Sequence, residues 1–293
     1  MLKECGFILI TYFIVCSAQA ESTRSSSYSA SSGQAKDGRE YLEHFSPSEA
    51  HHFLVNAINN FSDQELGLKF SFIHKGAIQK QTNRRFSIEG YLFGKIHQGT
   101  HYKRIILMDT SGEISADFIF HQVDTGIKAS VWKRSTQFDD FRVLDEGDFD
   151  EPLVAEILFR PIDILMSYLR WDNYDYLGPG IMGIRGVVQK YSLRPAPGSN
   201  QGSQAYDSVQ IDIDSDYLGI KKIKYLKQGI IDKEMVVSGL KKIHNQWTIS
   251  RMIMKDPVNK VSTIFKVLDN ADFTDEAELN LFDPKLKHVP SLN

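Results

Sequence analysis

The chain has 293 residues, 42% of them hydrophobic and 11% aromatic, with a formal charge of -3 at pH 7. This composition supports a sizeable core in one large domain, or at most two, and a charge so near neutral argues against a nucleic-acid binder, which would show a basic stripe. No second apolar run after the N-terminal one reaches bilayer-spanning length, which argues against a transmembrane receptor.

Residues 1–20 have the layout of a cleavable signal peptide. Lys3 makes a weakly basic start that Glu4 cancels, Gly6 to Val15 is apolar and uncharged, and Ala18-Gln19-Ala20 is a small-x-small cleavage site. The apolar stretch is too short for a permanent membrane helix, so export to a bacterial periplasm and release after Ala20 is the expectation. Both cysteines, Cys5 and Cys16, lie in this segment. A mature chain without them forms no disulfide, thiolate metal site or cysteine nucleophile. Lipidation at Cys16 is disfavoured by the bulk of Val15, where a small residue is wanted. Residues 21–39 read as a flexible Ser-rich leader, 40–284 as a single domain and 285–293 as a tail.

Ser46-Pro47-Ser48-Glu49 is a helix start, with Ser as cap, Pro at the first position and Glu three residues after the cap. Ala50, Phe53, Leu54, Ala57, Ile58 and Phe61 then recur at helical spacing and make one apolar stripe. From Leu66 the period drops to two, with further short runs near Phe86–Ile96, Tyr102–Asp109, Ser115–Gln122 and Ile127–Lys133. Strands about ten residues apart with turn residues between them predict an antiparallel meander. Phe138 to Glu151 is dense in acid, and Pro152 to Arg170 reads as helical in two pieces that Pro161 breaks or restarts. Tyr174 to Gly186 reads as a Gly- and Tyr-rich connection. Alternation returns at Val209, Ile211 and Ile213 and continues through four more runs to Leu268; no structure is assigned beyond Asp272. The expectation is about eleven strands, as a closed barrel or a strongly curved sheet, with the two helical segments as its cover.

Motifs of catalysis are missing: the chain has no Gly-x-Ser-x-Gly, Walker loop or His-Glu-x-x-His. His97 and His101 flank a turn, and the adjacent His51 and His52 cannot share a helix face, so neither pair is a metal site. Asp212, Asp214 and Asp216 open like a calcium loop, but Tyr217 stands where Gly is needed. Lys221, Lys222, Lys224 and Lys227 read as a solvated strand face. No metal and no cofactor is expected. What remains is apolar surface able to line an acyl cavity. A sixteen-carbon chain needs a shelter worth roughly 12 kcal/mol at about 0.8 kcal/mol per methylene.

The segment Arg160-Pro161-Ile162-Asp163-Ile164-Leu165-Met166-Ser167-Tyr168-Leu169-Arg170-Trp171 resembles one found in bacterial outer-membrane lipoprotein-sorting proteins of the LolA-like family. The run from Tyr206 to Phe265 is similar as well, with the Val209–Ile213 strand, a Lys-rich strand, Trp247 opening a strand to Met254-Lys255-Asp256, and Asp272-Phe273 closing the pattern. The resemblance implies an α+β fold, a strongly curved, unclosed antiparallel half-barrel with a helical lid. It implies a non-enzymatic periplasmic carrier, acting as a monomer. Such a carrier takes an acylated lipoprotein or lipid from an inner-membrane exporter complex and delivers it to an outer-membrane acceptor. Alternation and the helical stripe then nominate Phe53, Leu54, Ile58, Phe70, Phe72, Ile88, Ile211, Trp247 and Phe265 for lipid binding, and Ile162, Leu165, Met166 and Leu169 for the lid. Two alternatives stay open. One is an envelope binding or structural module on the same fold; the other is an exported hydrolase built on the acids of Asp139–Glu151.

Overall fold

The computed structural model describes residues 42, 44–62, 66–76, 86–123, 129–136, 138–183, 186–196, 206–243, 246–271 and 279–286. The expected signal peptide at 1–20 and leader at 21–39 lie outside the described residues. Helix α1 (Pro47–Ser62) starts as the sequence predicts. The Ser46 amide and hydroxyl donate to Glu49 Oε2 at 2.8 and 2.7 Å, and the Glu49 amide donates back to Ser46 Oγ at 3.4 Å. This reciprocal box satisfies first-turn amides that have no helical partner, while Pro47 has no amide to satisfy. Ala50, Leu54 and Ala57 are buried and Phe53 and Ile58 half-buried, so the predicted stripe faces the core.

Among the described residues thirteen strands form one sheet. They are β1 (Leu66–Lys75), β2 (Phe86–His97), β3 (Thr100–Met108), β4 (Ile114–Val123), β5 (Ala129–Arg134), β6 (Arg142–Val143), β7 (Asn173–Met182), β8 (Gly186–Arg194), β9 (Ser208–Asp214), β10 (Ile220–Lys227), β11 (Ile230–Ile243), β12 (Gln246–Asp256) and β13 (Val261–Asn270). Their order is β6-β5-β4-β3-β2-β1-β13-β12-β11-β10-β9-β8-β7, every neighbouring pair antiparallel. Two meanders therefore meet where β1 pairs with β13, and β6 and β7 are left as edges. The barrel is an unclosed half-barrel.

Two stretches differ from the sequence expectation here, and each has a local cause. Within the expected Tyr174–Gly186 connection, Tyr174 to Met182 belong to strand β7, an edge that tolerates Pro179 on its unpaired side. Its register shifts between Tyr176 and Gly178, where φ is +91° and a Cβ would come within 2.5 Å of His44 Nε2. The stretch before Pro161 is not helical. The Leu153 amide donates to the Phe159 carbonyl at 3.0 Å, and Leu153, Ile157 and Phe159 are buried from an irregular loop. The mid-chain part of the cover is therefore a single short helix, α2 (Pro161–Leu165), followed by a 3-10 turn at Ser167–Arg170.

The main core fills the concave face. One row runs Ile88, Phe72, Phe265, Met252 and Val237 across five strands. Chain beyond Asp272 also has structure: a 3-10 turn at Asn280–Phe282 lies on the opposite face, where Leu281 and Phe282 pack with Tyr91, Phe93 and Ile106. It is held through the Arg104 Nη1 bond to the Leu281 carbonyl at 2.7 Å. Arg104 is in turn bound to the buried Asp117, which Arg134 also grips.

Candidate functional site

Pro161 supplies a fixed φ at the first position of α2, and the Arg160 amide donates to Asp163 Oδ2 at 2.9 Å, so this one-turn helix is capped by its own acid. Met166 ends it in the left-handed region, φ 49° and ψ 38°, a conformation a non-glycine residue adopts at a cost of about 1 kcal/mol. The 3-10 turn then brings Tyr168 and Leu169 down to the sheet.

Beneath this cover lies a cavity of about 190 Å³. Its floor is apolar: Leu66 and Leu68 of β1, Leu92 and Ile96 of β2, Met235 of β11, Met252 of β12 and Phe265 of β13. Ile164, Leu165, Met166 and Leu169 form the roof, and Ile58 of α1 also lines it. Phe265 is braced from behind by Phe70, 5.0 Å between ring centroids, and by Phe72 at 5.8 Å.

Two lysines fasten the cover to the sheet. Lys103 Nζ, from β3, donates to the Ile164 carbonyl at 2.9 Å; Lys233 Nζ, from β11, donates to Asp163 Oδ2 at 2.7 Å. Burial brings the Lys103 ammonium down to about 8, and Arg170 beside it pushes the same way. Lys233 is lowered by burial, with Asp163 pulling back. Asp163 Oδ1 and Gln122 Nε2, both buried in the cavity wall, have no hydrogen-bond partner.

Next to Lys233 stands a buried tyrosine group. Tyr168 Oη and Tyr225 Oη are 3.3 Å apart, and the Tyr206 and Tyr225 rings lie 4.8 Å apart. Burial raises all three phenols far above their ordinary range. A buried phenol keeps its proton where the unfolded chain has lost its own, so stability is full below about pH 10 and falls as pH rises above it. Lys103 has the opposite sign, since the folded protein deprotonates first, and adds stability from about pH 8 to the ordinary lysine range. Urea unfolding midpoints are expected to drop steeply only above about pH 10. Tyr225→Phe is expected to flatten that drop; an unchanged alkaline slope would remove the tyrosines as its cause.

The structure places the nominated residues in two groups. Ile58, Phe265, Leu165, Met166 and Leu169 line the cavity. Leu54, Phe70, Phe72, Ile88, Ile162 and Ile211 are buried in the core around it, with Phe53 half-buried against that core. The backbone of Trp247 lies in β12, while its side chain is outside the described set. Sequence reasoning missed the polar part of the wall: His101 and Lys103 on β3, Gln122 on β4, and Arg170. Alternation assigns His101, Lys103 and Gln122 to the same face as Ile105 and Phe120, yet nothing local says that this part of the face lies beside open space.

The acids of Asp139–Glu151 divide. Asp150 is half-buried, and burial raises its carboxyl. Asp148 and Glu151 border a separate cleft of about 440 Å³ together with Lys133 and Arg142, so two cations face the two carboxylates. Among the described residues no helix is long and apolar enough to cross a membrane, and no group of three or more His, Cys, Asp or Glu could hold a metal ion.

No family model matches the sequence, and no curated protein matches it. Solved structures do. A domain ascribed to outer-membrane lipoprotein sorting, from Vibrio parahaemolyticus, is similar with a TM-score of 0.66 and 15% identity, over 82% of this chain and 100% of that one. The chain has a LolA-like fold. A DUF1329 family protein from Desulfovibrio piger matches with a TM-score of 0.66 and 14% identity, over 80% of this chain and 96% of that one. A LolA superfamily protein from Nitrosomonas europaea matches with a TM-score of 0.53 and 12% identity, over 78% and 96%.

Proposed function

We propose that the protein is a non-enzymatic carrier that shelters acyl chains of lipoproteins or lipids under the α2 cover and hands them toward the outer membrane. The observation behind this reading is an apolar cavity roofed by a short segment that two lysine contacts hold down. Its volume of 190 Å³ exceeds the roughly 150 Å³ of a cavity that takes benzene, and falls short of the roughly 300–1,000 Å³ of drug-sized pockets. On this reading the conformation described has room for part of an acyl chain only. A whole acyl chain enters when the cover lifts, with the left-handed joint at Met166 as the natural pivot. Release requires that burial of the chain be partly offset by the work of lifting the cover, which keeps the affinity intermediate. In this reading the N-terminal twenty residues direct export. The mature monomer then crosses the periplasm, from an inner-membrane exporter complex to an outer-membrane acceptor.

The test is uptake of a sixteen-carbon acyl ligand by delipidated protein, followed by mass spectrometry of solvent extracts. Stoichiometric uptake is expected, and Leu169→Asp, which sets an unpaired carboxylate in the apolar roof, is expected to weaken it about ten-fold or more. Delipidated protein that takes up no acylated ligand removes the carrier reading.

A further inference from the structure

The cavity has unlike ends. Its floor along β1, β12 and β13 is apolar, whereas the wall on β3 and β4 carries hydrogen-bond donors. Gln122 is 5% exposed and its Nε2 has no partner, although an unpaired buried amide costs about 1–3 kcal/mol. In register Gln122 stands opposite His101, and Lys103 is two residues along β3 on the same face. Lys103 Nζ carries three hydrogens, and the Ile164 carbonyl takes one. Lys103 therefore keeps hydrogens that the cover does not use, whereas Lys233 is already matched by Asp163. A cation with unused hydrogens, an unused amide donor and an apolar floor on neighbouring strands describe a receptor for an amphiphile whose head is rich in acceptor oxygens.

We propose that the cavity recognises the carboxylate of a single-chain fatty acid, with its head between Lys103 Nζ and Gln122 Nε2 and its tail along the floor toward Met252 and Phe265. The assignment rests on the carrier reading and adds the chemistry of the head. A carboxylate offers two acceptor oxygens and no hydrogen, so it satisfies both donors and leaves Asp163 to Lys233. It also competes with the Ile164 carbonyl for Lys103, so arrival of the head loosens one of the two contacts that hold the cover down.

The experiment compares binding of palmitate and of the alcohol of equal chain length to the delipidated mature protein by calorimetry. Acetate and inorganic phosphate serve as chainless anions. Palmitate is expected to bind about ten-fold or more tightly than the alcohol, since a charge-assisted contact outweighs a neutral one, and the chainless anions not at all. Lys103→Met and, independently, Gln122→Leu are expected to shrink that acid-to-alcohol ratio, whatever change in the cover does to both affinities together; Lys103→Arg should keep most of it. Equal binding of acid and alcohol by the wild-type protein overturns the head site and leaves the carrier reading standing. Binding of acetate or phosphate as tight as that of palmitate overturns it too, in favour of a small-anion site. Failure of both chain ligands is the separate result that removes the carrier reading itself.

Discussion

Asp117→Asn is expected to lower the unfolding free energy by about 3–5 kcal/mol, the range for breaking a buried ion pair by removing one partner. Asp117 Oδ1 accepts from Arg104 Nε at 3.0 Å, while Oδ2 accepts from Arg104 Nη2 at 2.7 Å and from Arg134 Nε and Nη2 at 2.9 and 2.8 Å. All three side chains are fully buried. Without the carboxylate two guanidinium groups remain in a dry layer between β3, β4 and β5, and neither neutralises readily there. The loss should spread to the C-terminal turn, because Arg104 also holds the Leu281 carbonyl. Denaturant titration gives the stability, and limited proteolysis after Ala271 reports release of the turn. A loss below about 1 kcal/mol would mean that the trio contributes no more than surface pairs do. Replacing the trio together with apolar residues of similar volume is expected to restore most of the stability, since the attraction of a buried pair little more than offsets its desolvation.

Lys233→Met is the second large effect, about 3–5 kcal/mol by the same physics, with a local consequence for the cover. Lys233 Nζ reaches Asp163 Oδ2 at 2.7 Å, and both side chains are almost wholly enclosed. Asp163 then keeps only the Arg160 amide, with an unpartnered Oδ1 beside it. Hydrogen exchange over 161–170 is expected to accelerate more than exchange in β1 or β13. The double variant Lys233→Met with Asp163→Asn keeps the cap of α2 and removes the uncompensated charge, so it should recover much of the loss. Uniform exchange across the domain in the single variant would show that this pair holds the fold as a whole rather than the cover.

The parts of the site that were legible are those that obey a period. Leu165, Met166 and Leu169 were nominated from helical spacing behind Pro161, and Ile58 and Phe265 from the stripe and the alternation; all five line the cavity. Ile88, Phe70 and Phe72 follow the same alternation, yet they pack into the core, because period two names a face and not the stretch of it left uncovered. Strand β7 reads as a connection for a related reason. Gly178, Pro179 and Gly180 read as breakers, and only a place at the sheet edge lets such residues stay in a strand.

Local rules were enough for the helix start at Ser46 and the antiparallel meander, because capping, alternation and turn chemistry act over a few residues; they left a closed barrel and an open curved sheet as alternatives. Pairings between distant residues were left to the tertiary structure. Lys103 was one alternating residue among many until β3 came to lie beneath the carbonyl of Ile164, and Asp163 was one helix acid until β11 brought Lys233 to it. Sequence separations of 61 and 70 residues carry no periodic signal, so burial and charge at these contacts exist only once the sheet and its cover have assembled.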